Sequence, residues 1–131
     1  MVKERLRKGG WVAFREDEHW HKGVAHEQSN SDFVYVDVGL VDMDEYILVT
    51  KTLNLDCCEI RFPFDYEDAN LAVTDIDFGN YFRASATTVN KLLESKDMAN
   101  SQEEVEEVQR KINSLTDRVM RTNNEYDRRR D

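Results

Sequence analysis

Three histidines and a glutamate lie close together near the start of the chain, between His19 and Glu27. His19 and His21 alternate, so on a strand their side chains share one face, as two ligands of one metal ion must. Neutral imidazole is a common ligand of zinc and nickel. His26 falls on the opposite face unless the strand bends, and the sequence identifies no fourth ligand. A metal-dependent enzyme that uses His19, His21 and His26 is therefore a lesser alternative, and surface histidines are the simpler interpretation.

Two aspartates are the second group that could do chemistry. Asp75 and Asp77 alternate on a predicted strand, where they could chelate a hard cation or act as a carboxylate pair. The sequence places no base or nucleophile beside them, and alternating acids are typical of the solvated face of a strand. We therefore predict that the chain is not an enzyme and that it uses neither a metal nor another cofactor.

The charge of the chain is unevenly distributed. Residues 1–10 hold four basic residues and one acid, for +3, and residues 101–131 hold 7 basic and 8 acidic residues, for −1. Residues 11–100 hold 7 basic and 18 acidic residues, for −11, which accounts for the total of −9. Binding to phosphates needs clustered lysine and arginine, so we predict no direct binding to nucleic acid. The acidic part favours a cationic partner such as a basic peptide.

Composition also bears on the setting of the protein. No apolar run approaches the roughly 20 residues of a membrane-spanning helix, and the charged start of the chain lacks the hydrophobic segment of a signal peptide. The two cysteines, Cys57 and Cys58, are adjacent, which suits neither an ordinary disulfide nor a zinc pair. We therefore expect no membrane association and a reducing, cytoplasmic setting.

The elements that must position these residues begin with short strands. The apolar runs and period-two alternation of residues 10–50 predict strands over 11–14, 19–27, 33–36 and 41–49. Polar clusters predict turns at 15–18, 28–32 and 37–39. The strand at 33–36 is apolar at every position, so we expect both of its faces to be covered. Several short strands joined by tight turns predict a small meandering barrel over residues 1–56.

Residues 57–85 are predicted to form a further β-hairpin. Alternation at 58–62 and again at 71–78 gives its two strands, with Pro63 and a loop at 64–70 between them. The hairpin either extends the sheet of the barrel or packs on it as a flap, and the sequence does not decide between them.

Residues 86–131 are predicted to be a helical C-terminal region. Ser101 can cap a helix whose first turns carry four glutamates. Apolar residues then follow at alternating spacings of three and four, which is the heptad seam of a coiled coil: Val105, Val108, Ile112, Leu115 and Val119. This seam is either an interface with a second copy or a partner helix, or the face with which the helix packs on its own β-structure.

The ordered combination of motifs in residues 10–55 resembles a Tudor domain. In that family a strand with a small-aromatic ending leads through an acidic turn into a tryptophan-aromatic-basic strand. A later strand ends in aspartate, one further residue and glycine, and a leucine-rich segment closes the barrel. The matching elements here are Val12-Ala13-Phe14, Glu16-Asp17-Glu18, Trp20-His21-Lys22, Asp37-Val38-Gly39 and residues 53–55.

The resemblance implies recognition of methylated arginine or lysine by a box of aromatic rings, in which each cation–π contact contributes about 0.5–2 kcal/mol. The positions of the box are taken here by Phe14, His21, Tyr35 and Val38. They supply two rings, one imidazole and one aliphatic wall, and the asparagine that would orient a guanidinium is absent. We therefore expect an arginine-containing segment to be bound whether or not it is methylated, with Asp42 and Asp44 supplying charge.

Together with this resemblance, the strand, turn and heptad patterns predict a protein–protein interaction adaptor. We expect it to have an SH3-like β-barrel of Tudor type, a following β-hairpin and a C-terminal helix. By resemblance, its setting would be a ribonucleoprotein or small-RNA-silencing complex in cytoplasmic granules. The principal alternative is a coiled-coil oligomerisation protein, of viral or phage type, whose β-structure is only a cap.

Overall fold

The computed structural model describes residues 6–27, 34–62 and 72–129. Five strands and two helices follow one another: β1 (Trp11–Glu16), β2 (His19–Ala25), β3 (Tyr35–Asp42), β4 (Ile47–Asn54), β5 (Ile60–Arg61), α1 (Asp75–Asp97) and α2 (Gln102–Arg129). The strands form one antiparallel sheet in the order β4-β3-β2-β1-β5. The chain is thus a mixed α/β fold in which a five-stranded antiparallel sheet precedes two helices.

The sheet is curled but not closed. Lys51 Nζ on β4 lies 2.6 Å from Glu16 Oε2 at the end of β1, although β3 and β2 separate the two strands in the sheet. In the described part of the chain β4 and β5 remain the two edges, so the predicted barrel is not closed. None of the helices described combines the length and the apolar character that crossing a membrane requires.

The predicted acidic turn after β1 is confirmed. β1 and β2 pair from Trp11↔Val24 to Glu16↔His19, which leaves Asp17 and Glu18 as a two-residue connection. Both have a positive φ, 53° and 66°, as in a type I′ turn, whose twist suits a tight hairpin. The second predicted turn, at residues 28–32, lies outside the described residues.

The third predicted turn, at 37–39, is wrong. β3 runs through these residues and pairs with β4 from Tyr35↔Asn54 to Asp42↔Ile47. The chain turns instead at 43–46, because Asp42 caps the turn: its Oδ1 accepts the backbone N–H of Asp44 at 2.9 Å, and its carbonyl accepts that of Tyr46 at 2.7 Å. An aspartate at the first position of a turn stabilises it in this way.

The expectation that residues 33–36 are covered on both faces is also wrong where the structure describes them. Val36 is buried, but Tyr35 is 60% exposed. The face that carries Tyr35 continues with the polar pair Asp37 and Thr52, whose exposed side chains hydrogen-bond to each other at 2.5 Å. One side of this strand therefore faces solvent.

Two apolar clusters lie on opposite faces of the sheet. The first holds eight buried residues: Leu6, Val12, Phe14, Ala25, Val36, Val38, Leu53 and Ile60. The second joins the other face of the sheet to the helices through Trp11, Val24, Phe78 and Tyr81. Because successive side chains of a strand point to opposite faces, the unbroken apolar run of β1 serves both clusters.

The predicted hairpin of residues 57–85 is wrong in its second strand, where α1 begins at Asp75. The cause is a capping box, which supplies partners to the first free N–H groups of a helix. Thr74 Oγ1 accepts the backbone N–H of Asp77 at 3.2 Å, and Asp77 Oδ2 accepts that of Thr74 at 2.9 Å. Phe78 and Tyr81 then fall on one helical face, which packs on the sheet. The loop predicted at 64–70 lies outside the described residues.

The seam of α2 is partly occupied within the chain itself. Ile112 and Leu115 are buried, and Val119 packs on the cluster of Trp11 and Tyr81, whereas Val105 and Val108 are only half-buried. The C-terminal part of the seam therefore packs within its own chain, mainly against α1. The predicted cap is confirmed, because Ser101 Oγ accepts the backbone N–H of Glu104 at 3.2 Å.

His26, just after β2, makes stability depend on pH. Burial is the main cause that lowers its pKa from 6.5 to about 4; the charges of Arg118 and Lys8 act in the same direction, and that of Asp37 opposes them. The unfolded chain therefore binds this proton first, so stability present above pH 6.5 is lost as the pH falls towards 4. After allowance for solvent screening we expect a loss of about 1–2 kcal/mol.

Urea unfolding at pH 7.5 and pH 4.5 tests this expectation. The His26→Gln variant cannot take up the proton, so its free energy of unfolding should fall less between the two pH values than that of the wild type. Equal decreases in both proteins would contradict the assignment to His26.

Candidate functional site

The sheet opens between β2 and β3. The two strands pair only at Val24↔Gly39 and Ala25↔Val38, so His19–Lys22 have no ladder partners on β3. Leu40 lies against Gly23 at this point: a Cβ on Gly23 would be 2.8 Å from Leu40 Cδ2 and 3.0 Å from the Gly39 carbonyl oxygen. A side chain at position 23 would therefore displace Leu40 and crowd the backbone of β3, so glycine is favoured there.

A cleft of about 340 Å³ lies at this opening. β1, β2, β3 and the first turns of α1 all contribute to its walls. The lining residues are Trp11, Trp20, His21, Lys22, Leu40, Val41, Met43, Asp77 and Asn80. Such a mixture of aromatic, aliphatic and a few polar groups is typical of a ligand site.

The inner wall is held in place by aromatic packing. The Trp11 ring meets Phe78 and Tyr81 edge-on, with centroids 5.5 Å and 5.8 Å apart. Within the described residues the buried Nε1 of Trp11 has no hydrogen-bond partner. These ring contacts fix Trp11 against α1 as one wall of the cleft.

A lysine is fixed at the side of the cleft that faces α1. Lys22 Nζ lies 2.7 Å from Asp77 Oδ2 and donates to the carbonyl of Ala72 at 2.8 Å. Asp77 is thereby shared between the cap of α1 and the lysine of β2. This contact sets the distance between α1 and β2, and therefore the width of the cleft.

Two ring systems line the part of the cleft that is open to solvent. Trp20 is half-buried, and the Arg61 guanidinium lies 5.9 Å from the centroid of its ring, so this ring already attracts a cation. His21 is exposed and is stacked on Phe14, with a centroid distance of 5.4 Å and an interplanar angle of 29°. Phe14 supports the imidazole from behind.

Two acidic turns flank the cleft at the same end of the sheet. β2 begins next to the turn of Asp17 and Glu18, and the antiparallel β3 ends next to the turn of Asp44 and Glu45. All four of these side chains are exposed. Within residues 6–27, 34–62 and 72–129 no ion pair neutralises any of them. This end of the sheet therefore has a negative potential.

The predicted box is not assembled by this fold. Phe14 and Val38 are both in the buried core, with at most 1% of either exposed. Tyr35 begins β3 and Asp42 ends it, so at about 3.3 Å per residue Tyr35 lies roughly 20 Å from the acidic end. Of the predicted residues, His21 lines the cleft, Asp44 lies at its rim and Asp42 caps the adjacent turn.

The histidine cluster is not brought together either. His19 and His21 lie near the start of β2, whereas His26 follows the other end of this strand. There the backbone N–H of His26 donates to the Asp37 carbonyl at 2.9 Å. Among the described residues no three histidine, cysteine or carboxylate side chains are grouped as metal ligands would be. The metal-dependent alternative thus gains no support from the positions of these residues.

Of the nine residues that line the cleft, only His21 was predicted from the sequence as a binding residue. Trp20 was assigned no part in binding, although the structure leaves it half-buried on the wall of the cleft. Leu40 and Met43 gave no signal, since the turn before them was misplaced. The alternation of Trp20 and Lys22 on one strand was the available indication.

Comparison with known proteins gives no family for this chain. No family model, no curated protein and no solved structure matches it. The function must therefore be argued from the geometry of the cleft and its acidic rim.

Proposed function

We propose that this chain is a protein–protein interaction module that binds an arginine-containing segment of a partner in the cleft between β2 and β3. The observation that carries the proposal is the position of the cleft between two acidic turns with four exposed carboxylates. A guanidinium can stack on the Trp20 ring while the rim supplies the opposite charge. The partner is held without any covalent chemistry.

Charge around the cleft supports a cationic partner. Residues 11–62 contain four basic and eleven acidic residues, for a net charge of −7. Each of the four basic side chains is already engaged: Arg15 and Arg61 with Glu59, Lys51 with Glu16, and Lys22 with Asp77. The acids left over attract a cationic segment and speed its association.

The backbone of the first acidic turn also supports a role in binding. A two-residue turn with positive φ at both positions is most stable as Asn-Gly, yet this chain has Asp17-Glu18 there. A side chain other than Gly, Asn or Asp in this conformation costs about 1 kcal/mol or more. A turn with only a structural role gains nothing from this strain. A role of the two exposed carboxylates in binding explains why the strain is retained.

The proposed function retains from the Tudor resemblance the recognition of a cationic side chain by rings. It places the binding site in the cleft between β2 and β3 instead of the predicted box. Trp20 and His21 take the place of the box that Phe14, Tyr35 and Val38 do not form. An SH3-like barrel and a ribonucleoprotein or small-RNA setting belong to the same proposal. A partner segment from such a complex would be rich in arginine.

The double substitution Asp17→Asn/Glu18→Gly tests the proposal. Stability should rise by about 1–2 kcal/mol because the strain is removed. Affinity for an arginine-rich peptide should fall by about tenfold because two rim charges are lost. Tryptophan fluorescence titrated with the peptide measures binding, and urea unfolding measures stability.

Two matched comparisons make the test specific. Tyr35→Ala removes an exposed ring far from the cleft and should leave peptide affinity unchanged, whereas Trp20→Leu should reduce it. A control peptide with glutamine at each arginine position should bind neither the wild type nor the variants. Unchanged affinity in both the turn variant and Trp20→Leu would refute the cleft as the site. Parallel titration with the same peptide carrying dimethylarginine shows whether the cleft distinguishes methylated from unmethylated arginine.

A further inference from the structure

The two helices continue past the edge of the sheet as a two-helix hairpin. α1 crosses the sheet from Lys22 on β2, held by Asp77, to the edge strand β4, where Thr88 Oγ1 accepts the backbone N–H of Leu48 at 2.9 Å. Among the described residues this is the last hydrogen bond from α1 to the sheet. Residues 89–111, the hairpin extension, contain no buried residue.

The hairpin extension is ordered by contacts between its own helices. Lys96 Nζ on α1 donates to Gln109 Oε1 on α2 at 2.6 Å, and Met98 N–H caps α1 by donating to the Glu94 carbonyl at 3.1 Å. At about 1.5 Å per residue the extension reaches roughly 15 Å beyond Thr88. It is long enough to offer about three helical turns to a partner.

Apolar side chains follow the extension on both helices. Leu92 is one turn beyond Thr88 on α1, and Val108 and Val105 are one and two turns before the buried Ile112 on α2. All three are half-exposed. Leu93, 43% exposed, and Met98, 79% exposed, add to this surface.

The charges beside this face indicate what covers it. Glu104, Glu107 and Lys111 follow one another at spacings of three and four along α2, so they border the face of Val108. In a parallel arrangement of two copies, like charges would meet at each position. In an antiparallel arrangement centred on Val108, Lys111 of each copy comes close to Glu104 and Glu107 of the other.

We propose that two copies of this chain associate through their hairpin extensions, antiparallel, as a four-helix bundle. Two helices alone cover each other on one side only, and a second pair covers the remaining apolar face. The heptad seam predicted from the sequence thus has two parts. Leu115 and Val119 pack within the monomer, and Val105 and Val108 pack between the two copies. This inference does not depend on peptide binding at the cleft.

Sedimentation velocity of the full chain over a range of concentrations tests the proposal. The wild type should pass from monomer to dimer as concentration rises, and Val108→Glu should remain monomeric. Met120→Glu, a change at an apolar residue of α2 that is 61% exposed and lies outside the extension, should dimerise like the wild type. A wild type that stays monomeric at the highest concentration would overturn the proposal.

Charge variants keep the test decisive if Val108→Glu fails to fold. Glu107 and Lys111 are exposed, so Glu107→Lys and Lys111→Glu should fold normally. Each alone should weaken the dimer by about tenfold, because like charges then face each other. An equimolar mixture of the two should recover dimer, since opposite charges are restored between copies. Folded variants that dimerise as tightly as the wild type would also overturn the proposal.

Discussion

Replacement of Leu115 with alanine is expected to lower the free energy of unfolding by about 2–5 kcal/mol. Leu115 is 2% exposed, and it shares a face of α2 with Val119, which packs on the cluster of Trp11, Phe78 and Tyr81. The substitution removes three heavy atoms from a packed interior, so it loses both their transfer free energy and the contacts around the cavity that remains. Equilibrium urea unfolding measures the loss.

Met120→Ala is the matched control for this prediction. It lies on the same helix, is exposed, and gains the high helix propensity of alanine, so its free energy of unfolding should change by less than about 0.5 kcal/mol. A similarly small effect of Leu115→Ala would mean that this face of α2 does not pack against the rest of the chain. The seam would then be free for an intermolecular coiled coil along its whole length.

The strands could be predicted because their signals are local. Alternation in residues 19–25 and the acidic pair Asp17-Glu18 between two apolar runs predict β1, β2 and their turn without reference to the rest of the chain. The turn at 37–39 was predicted from the same kind of signal and was wrong, because an aspartate followed by a glycine also fits within a strand. Only the pairing with β4 shows that β3 continues to Asp42.

The start of α1 was missed although its signal was present. Leu71, Val73, Asp75 and Asp77 alternate as in a strand, and that pattern was given priority. Thr74-x-x-Asp77 is, however, also a capping-box spacing, and it stands directly before the helical pair Phe78 and Tyr81. When a segment is too short for its periodicity to distinguish a helix from a strand, a capping motif identifies the helix.

The cleft itself depends on contacts that no local pattern contains. It opens where Leu40 lies against Gly23, and Lys22 meets Asp77 at its side, although these residues are far apart in the sequence. Charge was the part that the sequence could reveal, since an excess of carboxylates needs no knowledge of which strands pair. The sequence therefore revealed the charge around the cleft but not the residues that line it.

Two substitutions of glycine by alanine are expected to change stability in opposite directions. Gly9→Ala should lower the free energy of unfolding by about 2–4 kcal/mol. Gly9 has a φ of 82°, and a Cβ there would lie 2.7 Å from Arg121 Cβ and 3.0 Å from the Arg118 carbonyl. These atoms belong to the body of α2 and cannot move aside without displacing the helix.

Displacement of α2 at this point would break more than one contact. Gly9 joins the N-terminal segment to the sheet and to α2, since its N–H donates to the Ala25 carbonyl at 3.0 Å and its carbonyl accepts from the buried Thr122 hydroxyl at 2.7 Å. The same segment places Leu6 in the core of the sheet. A single methyl group therefore acts on both clusters.

Gly79→Ala should instead raise the free energy of unfolding by about 0.5–1 kcal/mol. Gly79 is an exposed residue inside α1, and a Cβ there would meet no atom within 4 Å. Thermal and urea unfolding of the two variants beside the wild type measure both effects. If Gly9→Ala unfolds like the wild type, then α2 does not lie against the N-terminal segment, and the covering of the second cluster must differ from that described. If Gly79→Ala is destabilising, residue 79 is not in a free helix face, and the assignment of α1 to residues that alternate like a strand would be at fault.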